Sequence, residues 1–230
     1  MIGIGVGGSE GRMGISVLSA AAIDNEMECV LQINRQIDLA DVIKKPKLDV
    51  FIDFSTPEVA LRHLACCAQY RFPVVLGVTG FSEAQKVDIQ KAAYTIPIVF
   101  SPNMSIGVNV SFKLLAFAAT LLEPLRAMGI NVDVAIQEIH HKHKKDAPSG
   151  TALRMGQILS ASDYAVSRVG DVLGDHTAML AFQGERIEIR HHTENRMIFA
   201  KGALTAAKWL MNTKPKPGLY DMQDVLGFNN

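Results

Sequence analysis

Cysteine is scarce. The 230 residues hold 3, Cys29, Cys66 and Cys67. The number is odd and no Cys-x-x-Cys spacing occurs, which excludes a disulfide framework and points to a reducing compartment. An excess of charge is missing too: 23 basic against 23 acidic residues leave a formal net charge of +0. No global field draws the chain toward nucleic acid or an anionic membrane, so any anion site must be local. The longest apolar run, residues 114–122, falls well short of a bilayer span. The first residues form a strand-like run with no basic segment ahead of it, which argues against a signal peptide. Internal repeats and low-complexity tracts are also missing. These absences predict a cytoplasmic protein with neither nucleic acid nor membrane as partner. What is present is an apolar content of 48%, ordinary for a globular chain and enough for one or two domains with a sizeable core.

Over the first hundred residues strand and helix patterns alternate. Residues 2–6, 28–33, 50–54, 73–77 and 98–101 read as strands. Residues 12–23, 59–70 and 82–94 carry helical spacing between them, with Pro57 placed at a helix start. Such alternation predicts an α/β unit: a Rossmann-like, doubly wound parallel sheet with helices on both faces. Ligands of these sheets bind beyond the C-terminal ends of the strands. The first of those turns is rich in glycine. Gly3-Ile4-Gly5-Val6-Gly7-Gly8-Ser9-Glu10-Gly11-Arg12-Met13-Gly14 runs from a strand into a helix, where glycine allows close approach of a pyrophosphate to the helix N-terminus. Glu10 is awkward beside a pyrophosphate and is expected to point to solvent. The second strand ends at Asn34-Arg35, not at an acidic residue. A carboxylate there would bond a ribose 2′-hydroxyl and repel a 2′-phosphate, whereas an arginine can pair with the phosphate. NADPH is therefore expected to serve at least as well as NADH.

Beyond residue 103 the alternation stops. Residues 105–128 read as one long helix, 132–138 as a strand and 151–160 as a helix. Strands follow at 164–168, 177–183 and 186–191, then helices at 199–209 and 220–225. This is an α+β segment with an open mixed sheet. At its centre lies Glu138-Ile139-His140-His141-Lys142-His143-Lys144-Lys145-Asp146-Ala147-Pro148-Ser149-Gly150-Thr151-Ala152. Imidazole is the side chain best suited to give a proton near neutral pH. A nearby ammonium lowers its pKa by like-charge repulsion and stabilises negative charge that develops in a reaction. The Ser-Gly-Thr turn at a helix start offers N–H groups to a carboxylate. Proton donors beside an anion cradle suit a small acidic substrate. His140, His141 and His143 are tightly spaced, but adjacent side chains diverge, and no metal is expected. His143 and Lys142 read as surface residues, Asp146 as a residue that orders the loop, and His176 as either a cap or a contact.

The motifs together resemble the 4-hydroxy-tetrahydrodipicolinate (dihydrodipicolinate) reductase family over nearly the whole chain. Glu138-x-His140-His141-x-x-Lys144-x-Asp146-x-Pro148-Ser149-Gly150-Thr151-Ala152 carries most of the likeness. Gly8-x-x-Gly11-Arg12-Met13-Gly14, Phe51-Ile52-Asp53-Phe54-Ser55, Gly77-x-Thr79-Gly80-Phe81 and Asn103-Met104-Ser105-x-Gly107-Val108-Asn109 add to it. Gly174-Asp175-His176-Thr177-Ala178 and Asp221-Met222-x-Asp224-Val225-Leu226 complete it. The resemblance implies hydride transfer from NADPH or NADH to a cyclic unsaturated imine dicarboxylate, giving tetrahydrodipicolinate in lysine and diaminopimelate synthesis. It implies that His140 and Lys144 supply the proton and that His141, Lys144, Ser149, Gly150 and Thr151 bind substrate. It implies a coenzyme site at Gly8, Gly11, Arg12, Met13, Asn34, Arg35, Phe54, Gly77, Thr79, Ser101, Asn103 and Met104.

The resemblance further implies a dinucleotide-binding domain of residues 1–104 and 198–230, and a substrate-binding and tetramerisation domain of 105–197. A homotetramer built through the second sheet is expected. So is a closing motion with hinges near 103–105 and 198–203. The stretch between Arg35 and Asp49 is short against many relatives, and 169–177 is lean; both read as surface deletions. Other readings predict differently. A different Rossmann reductase would lack the His-His-x-x-Lys and Pro-Ser-Gly-Thr combination. A nicotinamide-sensing module need not keep His140 and Lys144. A metal-dependent hydrolase would need carboxylate–histidine spacings that the chain does not show.

Overall fold

The computed structural model describes residues 1–44 and 47–229. Part of the short stretch between Arg35 and Asp49 therefore lies outside the described residues. The chain divides into two compact units, Met1–Ser105 with Met197–Asn230, and Ile106–Arg196.

In the first unit β1 (Ile2–Gly7), α1 (Arg12–Ala22), β2 (Met27–Ile33), α2 (Leu39–Val42), β3 (Val50–Asp53), α3 (Pro57–Tyr70), β4 (Val74–Leu76), α4 (Glu83–Ala93) and β5 (Pro97–Phe100) follow in turn. The second unit holds α5 (Ile106–Ala127), β6 (Asp133–His140), α6 (Gly150–Leu159), β7 (Asp163–Arg168), β8 (Asp175–Phe182) and β9 (Glu185–His192). The chain then returns to the first unit with α7 (Met197–Thr213), β10 (Gly218–Tyr220) and α8 (Met222–Val225).

The first sheet has six strands in the order β10-β5-β4-β3-β1-β2, all paired in parallel. β3 shows why it is covered on both faces. All four of its residues are buried. Val50 and Ile52 join the core formed with α1 and α7, while Phe51 joins the one formed with α3 and α4. Successive side chains point to opposite faces, so a strand apolar throughout needs helices on both.

The second sheet has four strands in the order β7-β6-β8-β9. β6 runs parallel to β7 and antiparallel to β8, and β8 antiparallel to β9, so the sheet is mixed. On one face Ile136, Ala178 and Leu180 pack with Phe112 and Leu115 of α5 and with Met155 and Leu159 of α6. Removing the fully buried Leu115 side chain costs about 2–5 kcal/mol.

Three expectations are corrected. First, residues 220–225 do not form one helix. Gly218–Tyr220 adds a parallel edge strand to β5, and Asp221 then caps the short α8 through its bonds to the Gln223 and Asp224 N–H groups. Three residues are too few to show a period of two. Second, the strand expected to stop at 138 runs to His140. Third, the apolar run at 114–122 lies inside a 22-residue helix that is long and apolar enough by composition to cross a membrane, with 33% of its apolar window buried. Asn109, Ser111, Lys113 and Glu123 interrupt the apolar letters of that helix without interrupting the helix itself. A single helix of this kind is also what the core of an ordinary globular domain contains, and Val108, Phe112, Leu115 and Leu122 are buried in that core.

Candidate active site

In the first unit the turns after β1, β3, β4 and β5 share one edge, because parallel neighbours bring their C-terminal ends together. The glycine turn closes tightly. Gly8 sits at φ +71°, in the left-handed region that a side chain disfavours. A Cβ on Gly14 would lie 2.2 Å from the Gly8 carbonyl oxygen, so only glycine lets α1 approach the loop this closely. Gly11 caps α1 without a side-chain acceptor, and no acidic residue occupies the first turn. The positive end of α1, at Arg12 and Met13, is thus left for an anion.

A cleft of about 660 Å³ opens beside this loop, lined by Gly8, Gly11, Asn34, Arg35 and Phe54 among others. Arg62 and His63 line it too. Both were missed from the sequence, although they stand three and four positions beyond Val59 on one face of α3. His63 Nδ1 lies 2.7 Å from Asp53 Oδ2, and Asp53 Oδ1 accepts the Ser55 N–H at 2.8 Å. This buried pair stiffens the turn after β3. Glu10 is exposed, as expected. Its carboxylate accepts a 2.8 Å hydrogen bond from Asn34 Nδ2, and both residues line the cleft. The turn aims this exposed side chain at the end of β2. Along the remaining strand ends Gly77 is half-buried and Thr79 exposed. Ser101 and Met104 are buried, and Ser101 Oγ donates to the Asn103 carbonyl. The fold thus brings Gly8, Gly11, Asn34, Arg35 and Phe54 around one cleft, and sets Gly77, Thr79, Ser101, Asn103 and Met104 at neighbouring strand ends.

In the second unit the extension of β6 places Glu138 and His140 on one face, two residues apart. Register sets His176 of β8 opposite Glu138 and Arg168 of β7 opposite His140. His140 Nδ1 lies 3.3 Å from Glu138 Oε2. Burial pushes the His140 pKa down; Glu138 pulls it up, Lys144 and Arg168 push it further down, and it comes to about 4. His176 is lowered to about 3, first by burial and then by His140. Burial would raise the Glu138 carboxyl, but bonds from Ser149 and Arg168 outweigh it and hold the pKa below the usual carboxylate value.

Lys144 Nζ pairs with Asp146 Oδ1 at 2.8 Å, and the Asp146 carbonyl accepts from Arg168, so Asp146 orders the loop. His141 is half-buried, and its ring stands 6.4 Å from that of the exposed His143. Ser149 caps α6, its Oγ accepting the Ala152 N–H at 3.2 Å. The cap sets Gly150 and Thr151 at the positive end of a helix whose first turn holds no acid. The Ser149 hydroxyl itself is buried inside the protein. The motif's three histidines do not gather. Instead Glu138, His140 and His176 bring ligand-type atoms within 4.8 Å of one another. The Arg168 guanidinium, 2.9 Å from the same carboxylate, already supplies the positive charge that a cation would bring.

Comparison with known proteins agrees along the whole chain. The family model described as dihydrodipicolinate reductase, N-terminus, matches residues 2–104, and that described as dihydrodipicolinate reductase, C-terminus, matches 107–226. A curated relative, the 4-hydroxy-tetrahydrodipicolinate reductase of Methylococcus capsulatus, is 40% identical over 273 aligned positions, covering 99% of this chain and 98% of its own. The alignment is longer than this chain, so the relative carries insertions that are missing here. Among solved structures, a dipicolinate-bound dihydrodipicolinate reductase from Paenisporosarcina sp. TG-14 superposes with a TM-score of 0.78 at 23% identity, covering 96% of this chain and 97% of that one. A probable dehydrogenase from Thermotoga maritima reaches 0.62 at 12% identity, covering 97% and 92%. These two likenesses speak for the fold alone.

Proposed function

The chain belongs to the dihydrodipicolinate reductase family, and on that premise we propose that it reduces 4-hydroxy-tetrahydrodipicolinate to tetrahydrodipicolinate in the lysine and diaminopimelate pathway. Substrate, reduced nicotinamide coenzyme and one proton give product, oxidised coenzyme and one water. The observation that carries the reading is the meeting of His140, Lys144 and the α6 start within one segment of the second unit.

The first unit fits the coenzyme. Its tight Gly8–Gly14 approach and the open N-terminus of α1 suit a pyrophosphate. Gly8, Gly11, Arg12 and Met13 would hold it, Asn34, Arg35 and Phe54 the adenosine side, and Gly77, Thr79, Ser101, Asn103 and Met104 the nicotinamide side. The bound coenzyme supplies a hydride. Arg35 and Arg62 line the cleft together with Glu10 and Asp38, and Arg35, just beyond the end of β2, can pair with a 2′-phosphate. NADPH accordingly serves at least as well as NADH.

In the second unit Gly150 and Thr151 receive one substrate carboxylate at the positive helix end, and the buried Ser149 keeps that turn in shape. Lys144 leaves Asp146 for the second carboxylate, and His141 lines the same side. With its pKa at about 4, His140 is neutral in the free protein at pH 7. A dianionic substrate beside it raises its proton affinity, so His140 takes up a proton on binding and delivers it to the ring carbon next to the reduced one. Lys144 stabilises the negative charge in between. The outer face of the β7-β6-β8-β9 sheet is the proposed contact of a homotetramer; a monomer in sedimentation would refute that part.

The test is loss of nicotinamide absorbance with enzymatically generated substrate. Oxidation of NADPH or NADH is expected. Oxidation of neither would remove the reading.

A further inference from the structure

Glu138 is 1% exposed and stands on the same sheet face as Ile136, Ala178 and Leu180. An ionised carboxylate on an apolar face is costly unless its lone pairs are used. Here each oxygen faces a different part of the site. Oε1 accepts the Ser149 N–H at 3.0 Å and Arg168 Nη2 at 2.9 Å. Oε2 lies 3.3 Å from His140 Nδ1 and 3.8 Å from His176 Nε2. His176 Nε2 in turn lies 3.1 Å from Ser149 Oγ, the hydroxyl that caps α6. The rings of His140 and His176 meet edge to face with centroids 5.0 Å apart.

We propose that Glu138, backed by His176, is the positioning residue of the reaction: one buried carboxylate fixes the tautomer and angle of the His140 ring and anchors the Ser149 turn that presents Gly150 and Thr151. This deepens the proposed function and rests on it. Through Ser149 the carboxylate fixes where a substrate acid group would sit. Through Nδ1 it fixes which imidazole nitrogen faces the reacting ring, as carboxylate partners do for histidines elsewhere.

A second observation identifies that nitrogen. A Cβ on Gly174, whose φ is +155°, would lie 3.0 Å from His140 Nε2. Glycine at that position leaves the space beside Nε2 free of a side chain. His140 therefore carries its resting proton on Nδ1, toward Glu138, and exchanges the reacting proton at Nε2. In the structure the Nδ1–Oε2 contact is misaligned, and neither atom has a formed hydrogen bond. Contacts of this kind tighten when the reacting complex assembles. The charged or titratable groups that face His140 are Glu138 on its own strand, Lys144 and Asp146 from the following loop, Arg168 from β7 and His176 from β8. His191 of β9 stands behind His176.

The test pairs Glu138→Gln with histidine nitrogen NMR on the wild-type protein. Glu138→Gln is expected to lower kcat by about 10–100-fold, with coenzyme affinity unchanged. Loss of the negative charge lowers the proton affinity of His140, so the high-pH limb of kcat moves to lower pH by about one unit. His176→Gln, which keeps a polar group at Ser149, should give a smaller loss in the same direction. A Glu138→Gln enzyme that folds and keeps both wild-type kcat and its pH profile overturns the inference. Should that variant fail to fold, the wild-type spectrum decides: a proton on Nδ1 of His140 supports the assignment, and one on Nε2 overturns it. A wild-type enzyme that oxidises neither coenzyme sinks the proposed function instead, and the tautomer still reports on the ring's orientation.

Discussion

Asn34 donates a 2.8 Å hydrogen bond to the carboxylate of Glu10, tying the end of β2 to the glycine loop beside the cleft that both residues line. An acidic group thus stands near the expected ribose, but it comes from the loop and not from the strand end. Glu10→Ala should raise the ratio of kcat/KM for NADPH over NADH by about 3–10-fold, since about 1 kcal/mol of repulsion from a 2′-phosphate is removed. Arg35→Ala should move the ratio the other way. Initial rates with both coenzymes measure this, and unchanged ratios in both variants would contradict it.

His140→Gln and Lys144→Ala should each cut kcat by about 100-fold or more and leave the coenzyme dissociation constant within about twofold, because neither belongs to the unit that carries the cleft proposed for the coenzyme. Fluorescence titration alongside turnover separates the two effects. Lost coenzyme binding would mean these residues are misplaced.

Acid should destabilise the protein early. His140 and His176 have folded pKa values of about 4 and about 3, both below the ordinary histidine value of about 6.5. The unfolded chain therefore binds more protons between these limits. The stability from keeping the two rings neutral is complete above about pH 6.5 and is lost as pH falls toward their folded values. Tm should be level near pH 7–8 and decline through pH 6 and 5. A Tm that rises over that descent would refute the assignment.

Gly14→Ala should destabilise the first unit by about 1–3 kcal/mol and weaken coenzyme binding, because the added methyl would meet the Gly8 carbonyl at 2.2 Å. Thermal unfolding with and without coenzyme reads both effects. Wild-type affinity in this variant would remove the loop from the coenzyme site.

Much of this was legible from sequence because its signals are local. Val50–Asp53 reads as a buried parallel strand from its letters alone, and Pro57 marks the start of α3. The segment around His140 and Lys144 announces proton chemistry by composition. What was not legible depends on pairing between distant residues. The roles of Glu138 and His176 come from β6 lying against β8 in one register, which sequence spacing does not reveal. Arg62 and His63 reach the cleft only because α3 starts at the end of β3. β10 was hidden because three residues carry no period, and its identity comes from pairing with β5. The bond from Asn34 to the exposed Glu10 was not legible because the turn geometry, not the local charge, sets the direction of that side chain.

The most direct measurement is a crystal structure with pyridine-2,6-dicarboxylate and the oxidised coenzyme bound together. The account predicts one carboxylate at the Gly150–Thr151 helix end, the other on Lys144, and His140 Nε2 facing the ring. A dicarboxylate lodged away from these residues, or His140 and Lys144 turned toward bulk water beside it, would contradict it.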